Sequence, residues 1–404
     1  MKILIYGEWF LPSIGGVQTA MELLARGFAE YRDARISGSG DSIQVIVATN
    51  SPGDGMDDSK LPYAIVRRPT FGQLKRLIRD ADIVHLAGPC LLPMLISWVT
   101  GKPFVVVHHV YQAACPNGLL FKQPSQTVCP GHFMKKQYAE CFRCCSQPIG
   151  RAAGTRLVLL EFPRRWLSKH AAANVMITNH VAQRLRLPRS QTIYYGIDQI
   201  EPKPARVGSS SQLMQFGYVG RLVAEKGLPL LVDAAKHLAD GGKLFQLTFI
   251  GDGPKRAHLE ALVQQSGLSD FVSFKGDLRG AALDDAASRI SVLIMPSIWE
   301  ESAGLAAIEQ MMRGRMVIAA DVGGLGEIVG DAGLKFALGD SQGLAALMLR
   351  VIDDPSLVGS LGSLARARAT KMFRLEGMIE PHVALYRELL APRPEPSAEA
   401  TNAK

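Results

Sequence analysis

Apolar positions in this chain come in short runs separated by longer stretches with helical spacing. Residues 292–295 are apolar until Pro296, 304–312 carry helix formers in an apolar pattern, and 317–319 are apolar again. Strand, loop, helix and strand make one parallel crossover unit. The same alternation fills the rest of the chain. Strands are expected at 2–6, 44–48, 83–86, 104–108, 174–178 and 192–195, then at 215–219 and 247–250, with helices at 17–28 and 228–238 among them. Alternation of this kind specifies an α/β architecture of doubly wound parallel sheets, with helices covering both faces.

At 404 residues the chain exceeds one typical domain. The stretch 196–211, GIDQIEPKPARVGSSS, mixes Pro, Gly and Ser with little apolar content and reads as the interdomain linker. The expected units are 1–198 and 199–373, then a helix at 374–390 and a disordered tail at 391–404 that lacks apolar residues for a core. Residues 83–101 contain no Asp, Glu, Lys or Arg, yet Gly88, Pro89 and Pro93 interrupt them, so strand, turn and buried helix are expected in place of a membrane span. MKILIYGEWF is a strand directly after Met1 without a small-residue cleavage site, so no signal peptide is expected and the cytoplasm is the expected compartment.

The net charge of +8 is unevenly placed: 101–200 hold 13 Lys+Arg against 3 Asp+Glu, whereas 1–100 balance at 10 against 10. A basic patch confined to 101–200 suits a polyanion or an anionic membrane surface; no nucleic acid is expected as partner. Arg151, Arg156, Arg164, Arg165 and Lys169 punctuate LVLLEF and WL, so a helix here lies on a membrane interface or is a solvated domain face. Five of the six cysteines, Cys115, Cys129, Cys141, Cys144 and Cys145, fall within 31 residues. Two readings stay open, unmetallated thiols in a long insert at about 115–145 and a structural zinc held by Cys115, Cys129, Cys141 and Cys144.

Candidate chemistry gathers at strand ends. Glu300, Glu301 and Ser302 lie where the 292–295 strand meets its helix, the crevice in which parallel sheets bind ligands. Unpaired amides of the helix's first turn, with its dipole, attract an anion such as a diphosphate. Glu301 and Glu309 stand eight residues apart, and a carboxylate pairs naturally with sugar hydroxyls. In GRLVAEKG, Arg221 offers a bidentate fork and Lys226 a compact charge, good chemistry for a diphosphate. Gly15 and Gly16 permit close backbone approach before a helix, and His109 follows the strand FVVVH with His108 beside it.

PSIWEESAGLAAIEQM, GGLGE, GRLVAEKG and GDGP, in their order and spacing, resemble the E-x7-E signature and companion motifs of retaining GT-B glycosyltransferases of family 4, the group 1 type. The resemblance implies two Rossmann-like domains facing across a cleft, acceptor on the first and donor on the second, with the 374–390 helix crossing back to the first. It implies that Glu301 binds the donor sugar's hydroxyls and Glu309 the ribose, while Arg221 and Lys226 neutralise the leaving diphosphate without a metal cofactor. HVYQAACPNG is similar to a subfamily pattern that places His109 near the donor sugar. Gly15, Gly16, Gly220, Ser302, Gly304 and Leu305 fall in donor-binding positions. Ala303 stands where an aromatic is usual and Met316 where Pro is usual, which bears on pocket shape. The implied function is transfer of a sugar from a UDP- or GDP-sugar to a glycan or lipid-linked acceptor with retention, in bacterial cell-envelope or exopolysaccharide synthesis. The implied location is cytoplasmic, peripheral on the inner face of the cell membrane. An epimerase of the same architecture and a non-catalytic sugar-nucleotide-binding protein are the other readings.

Overall fold

KILIYG, β1 (Lys2–Gly7), is buried along almost its whole length, as a strand flanked on both sides and covered on both faces must be. A computed structural model describes residues 1–13, 15–31, 42–201 and 213–392. Positions 202–211 of the expected linker and 393–404 of the expected tail lie outside the described residues. The first unit holds β1, β2 (Gln44–Thr49), β3 (Ala64–Arg67), β4 (Ile83–Ala87) and β5 (Phe104–His108), a small hairpin of β6 (Phe121–Lys122) and β7 (Thr127–Val128), then β8 (Ala173–Met176) and β9 (Ser190–Thr192). Seven of these strands form a parallel sheet in the order β3-β2-β1-β4-β5-β8-β9. Its helices are α1 (Gly16–Glu30), α2 (Phe71–Asp80), α3 (Leu91–Val99), α4 (Tyr138–Ile149), α5 (Arg151–His170) and α6 (Asn179–Leu185).

The second sheet has six parallel strands, β10 (Met214–Val219), β11 (Phe245–Ile250), β12 (Val272–Phe274), β13 (Val292–Met295), β14 (Met316–Ala320) and β15 (Leu334–Phe336), ordered β12-β11-β10-β13-β14-β15. Around it lie α7 (Leu228–Asp240), α8 (Arg256–Gln265), α9 (Gly280–Ser288), α10 (Leu305–Met312), α11 (Gly323–Val329), α12 (Ser341–Asp353) and α13 (Ser356–Met372). Strand order reverses between β1 and β4 and again between β10 and β13. Loops diverge at such switch points and leave a crevice at the carboxyl ends. The motifs GEWFLPS, GRLVAEKG and PSIWEES all occupy loops of this kind.

The last helix, α14 (Leu375–Leu390), returns to the first unit. Gly27 of α1 makes room for it, since a Cβ there would meet Ile379 Cδ1 at 2.5 Å. The Tyr386 hydroxyl pairs with Nδ1 of His85 on β4 at 2.5 Å, both side chains fully buried.

Two expectations are corrected. The short strands β3, β12 and β15 were absent from the hydrophobic pattern, and each is an edge strand or lies next to none on one side. The buried helix expected within 83–101 is α3, and it is buried on one side only: Pro93, Met94, Ile96 and Ser97 face the core, whereas Leu92, Leu95, Trp98 and Val99 are exposed.

Candidate functional site

After β10 the chain turns at Gly220, whose amide donates to Ile250 O at 2.9 Å, and a short turn at Ala224–Lys226 ends in Gly227. Gly227 has φ +63°, and a Cβ there would lie 2.1 Å from Pro296 O. Only glycine lets the 220–227 loop settle this closely on the loop after β13. That approach brings Lys226 to Glu301, Nζ to Oε1 at 2.5 Å, and Ser297 Oγ donates to the other carboxylate oxygen at 2.6 Å. Glu301 is buried, with Lys226 Nζ 5.7 Å from the centre of the Trp299 ring. Arg221 is exposed and has no ion-pair partner among the described residues. The site thus presents one free guanidinium and one ammonium held by a carboxylate.

Gly304, at φ +94°, turns the chain into α10, and no side chain caps that helix. Leu305 opens its first turn, and Glu309 follows one turn further along. Burial pushes the Glu309 carboxyl above the ordinary carboxylate range, partly offset by Arg313. Ser302 is buried, and its carbonyl accepts the Thr178 hydroxyl at 2.8 Å. Glu300 is turned away from these groups: its carboxylate lies 2.8 Å from Arg184 Nε on α6, and its carbonyl accepts the Tyr111 hydroxyl at 2.7 Å.

Across the crevice, the first unit holds a cavity of about 250 Å³ lined by Glu8, Gln18, Met21, Cys90, His109 and Gln112 among others. His109 is buried, stacks on Tyr195 and shares Nδ1 with the Tyr195 hydroxyl at 2.7 Å. Burial, with His108 and His382 nearby, brings its pKa down to about 3. The ring is therefore neutral at any working pH, with Nε2 free of a partner among the described residues. His108 is structural, bonded through Nε2 to Asn174 Oδ1 at 2.9 Å. Gly15 is in extended backbone, where a Cβ would meet Gln18 Oε1 at 2.6 Å, whereas nothing lies within 4 Å of a Cβ built on Gly16, so open space remains where α1 begins.

Two of the five basic residues picked out on α5 turn inward. Arg165 turns inward to the carbonyls of Ala113 and Leu185 at 2.7 and 3.1 Å, and Arg164 lies 3.6 Å from buried Glu161. Both brace the fold. Among the described residues no three His, Cys, Asp or Glu side chains gather as a metal site, so Cys115, Cys129, Cys141 and Cys144 are not assembled into a ligand set. Instead Asn117 bridges two of them, accepting from Cys115 Sγ at 3.0 Å and donating to Cys144 Sγ at 3.4 Å. The chain's Asp80-Ala81-Asp82 sequence sits at the opposite, amino edge of the first sheet, where Asp82 accepts the amide of Lys2 at 2.7 Å.

Sequence reasoning passed over Glu327, the end of GGLGE. Its carboxylate reaches the other unit, accepting the amides of Asn179 and His180 at 3.0 and 2.9 Å and the Tyr194 hydroxyl at 2.5 Å. It caps α6 from outside. No local spacing signals a partner 147 residues away.

Residues 214–354 match the family model described as glycosyl transferases group 1. Over 230 residues the chain is 34% identical to 2-deoxystreptamine glucosyltransferase of Streptomyces kanamyceticus, covering 52% of this chain and 59% of that one. Over 246 residues it is 27% identical to alpha-D-kanosaminyltransferase of the same organism, covering 56% and 64%. The matches thus span less than two thirds of those relatives' own length. Among solved structures, Anabaena HepE in complex with UDP aligns over 96% of this chain and 100% of its own, with 18% identity and a TM-score of 0.71. Sucrose-phosphate synthase from Thermosynechococcus elongatus covers 96% and 98%, with 21% identity and a TM-score of 0.72. The fold is that of the GT-B architecture, two α/β domains with parallel sheets.

Proposed function

We propose that the protein is a glycosyltransferase that moves a sugar from a nucleotide diphosphate sugar to a glycan or lipid-linked acceptor with retention of anomeric configuration. The carrying observation is the Lys226–Glu301 pair, with Glu301 buried just before the uncapped start of α10 and Arg221 exposed on the same loop as Lys226. A diphosphate entering there meets Arg221, the first amides of α10 and the ammonium of Lys226, and needs no metal to balance its charge. Lys226 exchanges Glu301 for phosphate, which frees the carboxylate to accept sugar hydroxyls. Glu309, on the same helix, is the group for the ribose.

The anomeric C–O bond then breaks with its electron pair leaving on the diphosphate, where Arg221 and Lys226 hold the developing charge. Retention places the acceptor oxygen on the same face. The departing phosphate oxygen is then the nearest base for the acceptor's proton. The neutral His109 lines the first-domain cavity, near the place of the donor sugar, and does not draw off that proton. UDP- and GDP-sugars both fit the diphosphate chemistry. The strongly basic first domain favours an acceptor at the cytoplasmic face of a cell envelope, with peripheral contact to the membrane.

The test is release of nucleoside diphosphate from a panel of UDP- and GDP-sugars, with the product's anomeric configuration read by NMR. Lys226→Ala removes charge that matters most as the diphosphate departs, so turnover should fall by at least about a hundredfold in a folded protein. Near-normal turnover in that variant would sink the assignment.

A further inference from the structure

Exposed large apolar side chains are scattered singly over most proteins and mean little there. Here they are concentrated. Of the sixteen among the described residues, nine fall between positions 92 and 166. On α3 these are Leu92, Leu95 and Trp98, three residues apart, together with Val99, which is 69% exposed. On α5 they are Leu159, Phe162 and Trp166, whose spacing of three and four puts them on one helical face. The two faces are joined. Trp98 and Trp166 meet edge to face at 5.0 Å, and Phe162 meets Tyr138 of α4 at 5.1 Å, so one aromatic row crosses three helices.

A basic border surrounds this row. Arg151, Arg156 and Lys169 of α5 are exposed, as are Lys135 and Lys136 just before α4. Helix α2, packed against α3, adds exposed Lys75, Arg76 and Arg79 against the single acid Asp80. The three acids of 101–200 do not oppose them: Glu140 pairs with Arg143, Glu161 is buried, and Asp198 pairs with Arg26 at 2.6 Å.

We propose that the α3–α5 face docks this protein peripherally on an anionic lipid surface. Charge complementarity chooses this occupant over a second copy. A two-fold contact through the face would press its basic border against itself. An anionic leaflet instead attracts each basic residue, and Trp and Tyr favour the boundary between headgroups and acyl chains. No helix among the described residues is long and apolar enough to cross a membrane, so the contact lies along the surface.

The same helices build the cavity wall. Cys90, the residue that opens α3, and Arg164 of α5 both line the first-domain cavity. Docking therefore presents that cavity to an acceptor embedded in the leaflet. In naming the acceptor, though not in the docking itself, this inference rests on the transferase reading.

The experiment is co-sedimentation of the full chain with vesicles of phosphatidylcholine alone and of phosphatidylcholine mixed with phosphatidylglycerol, at low and high salt. No donor is present, so turnover in Lys226→Ala and vesicle binding fail separately. Binding to the mixed vesicles at low salt, weakened at high salt, is expected. Arg156→Glu with Lys169→Glu should weaken it at least tenfold, since each basic residue near such a surface is worth about 1 kcal/mol. Leu95→Glu with Trp166→Glu should abolish it, with circular dichroism unchanged because both sites are exposed. Brominated lipid should quench tryptophan emission in the wild type, and less so in a Trp98→Phe, Trp166→Phe variant. Equal binding to both vesicles, binding to neither, or wild-type binding by the Glu variants overturns the proposal. So does dimerisation in sedimentation equilibrium that the Leu95→Glu, Trp166→Glu variant loses, which would assign the face to a second copy.

Discussion

Glu161 shows how burial can outweigh a neighbouring cation. The residue, on the inner side of α5, is fully buried, and its backbone contacts and Arg164 only partly offset desolvation, so its carboxyl is pushed up to about 7. A raised carboxyl stabilises the fold below the unfolded-state pKa, and that contribution is lost as pH rises through about 7. Glu161→Gln should match the wild type near pH 5 and exceed it at pH 8 by roughly 2–3 kcal/mol at most. Parallel thermal-melting curves for the two proteins across this range would refute it. The residues carrying the proposed chemistry were more legible than this one. Arg221, Lys226 and Glu301 sit in loops that follow apolar runs, with Glu309 eight residues on in the next helix, and spacing is what a sequence displays. The pairing of Lys226 with Glu301 was not legible, since it arises from two loops 75 residues apart.

Elements were legible where burial is two-sided. The central strands β1, β5, β13 and β14 carry near-continuous apolar runs because helices cover both faces. At the margins β3, β12 and β15 are three or four residues long with partly exposed positions, too short to establish a period. Hydropathy misplaced α3 for a different reason, because an apolar helix reads alike whether or not a neighbour covers its second face. Close approach between elements was equally hidden. The start of α11 lies so near the 300–304 loop that a Cβ on Gly324 would meet Ser302 O at 2.1 Å, and the Gly324 amide donates to Glu301 O at 2.6 Å. Gly324→Ala must push the 300–304 loop outward and so displace Glu301. We expect a loss of at least about tenfold in transfer efficiency, of order 1.4 kcal/mol, with the far-ultraviolet spectrum retained. Wild-type kinetics in that variant would show that the loop's position does not matter.

At the scale of the whole molecule, two sheets that share no strand are tied by polar side chains that converge on one loop. Thr178, Tyr111 and Arg184 of the first domain bind the carbonyls of Ser302 and Glu300 and the Glu300 carboxylate. Glu327 reaches back from the second domain to the start of α6. If the 300–304 loop holds the donor as proposed, its shape depends on the domains staying together, and closure and donor positioning become one event. Each missing bond to a helix's first amides costs about 1 kcal/mol, and Glu327 supplies two of these besides its contact with Tyr194. Glu327→Ala should open the crevice, raise donor KM and lower kcat together, because closing contacts serve both binding and the reactive geometry. Small-angle scattering should show a larger radius of gyration for the free variant than for the wild type, and nucleoside diphosphate should reverse part of that increase. A variant that loses melting temperature while scattering and kinetics stay unchanged would reduce Glu327 to a local cap on α6, and the coupling between closure and the donor loop would fall with it.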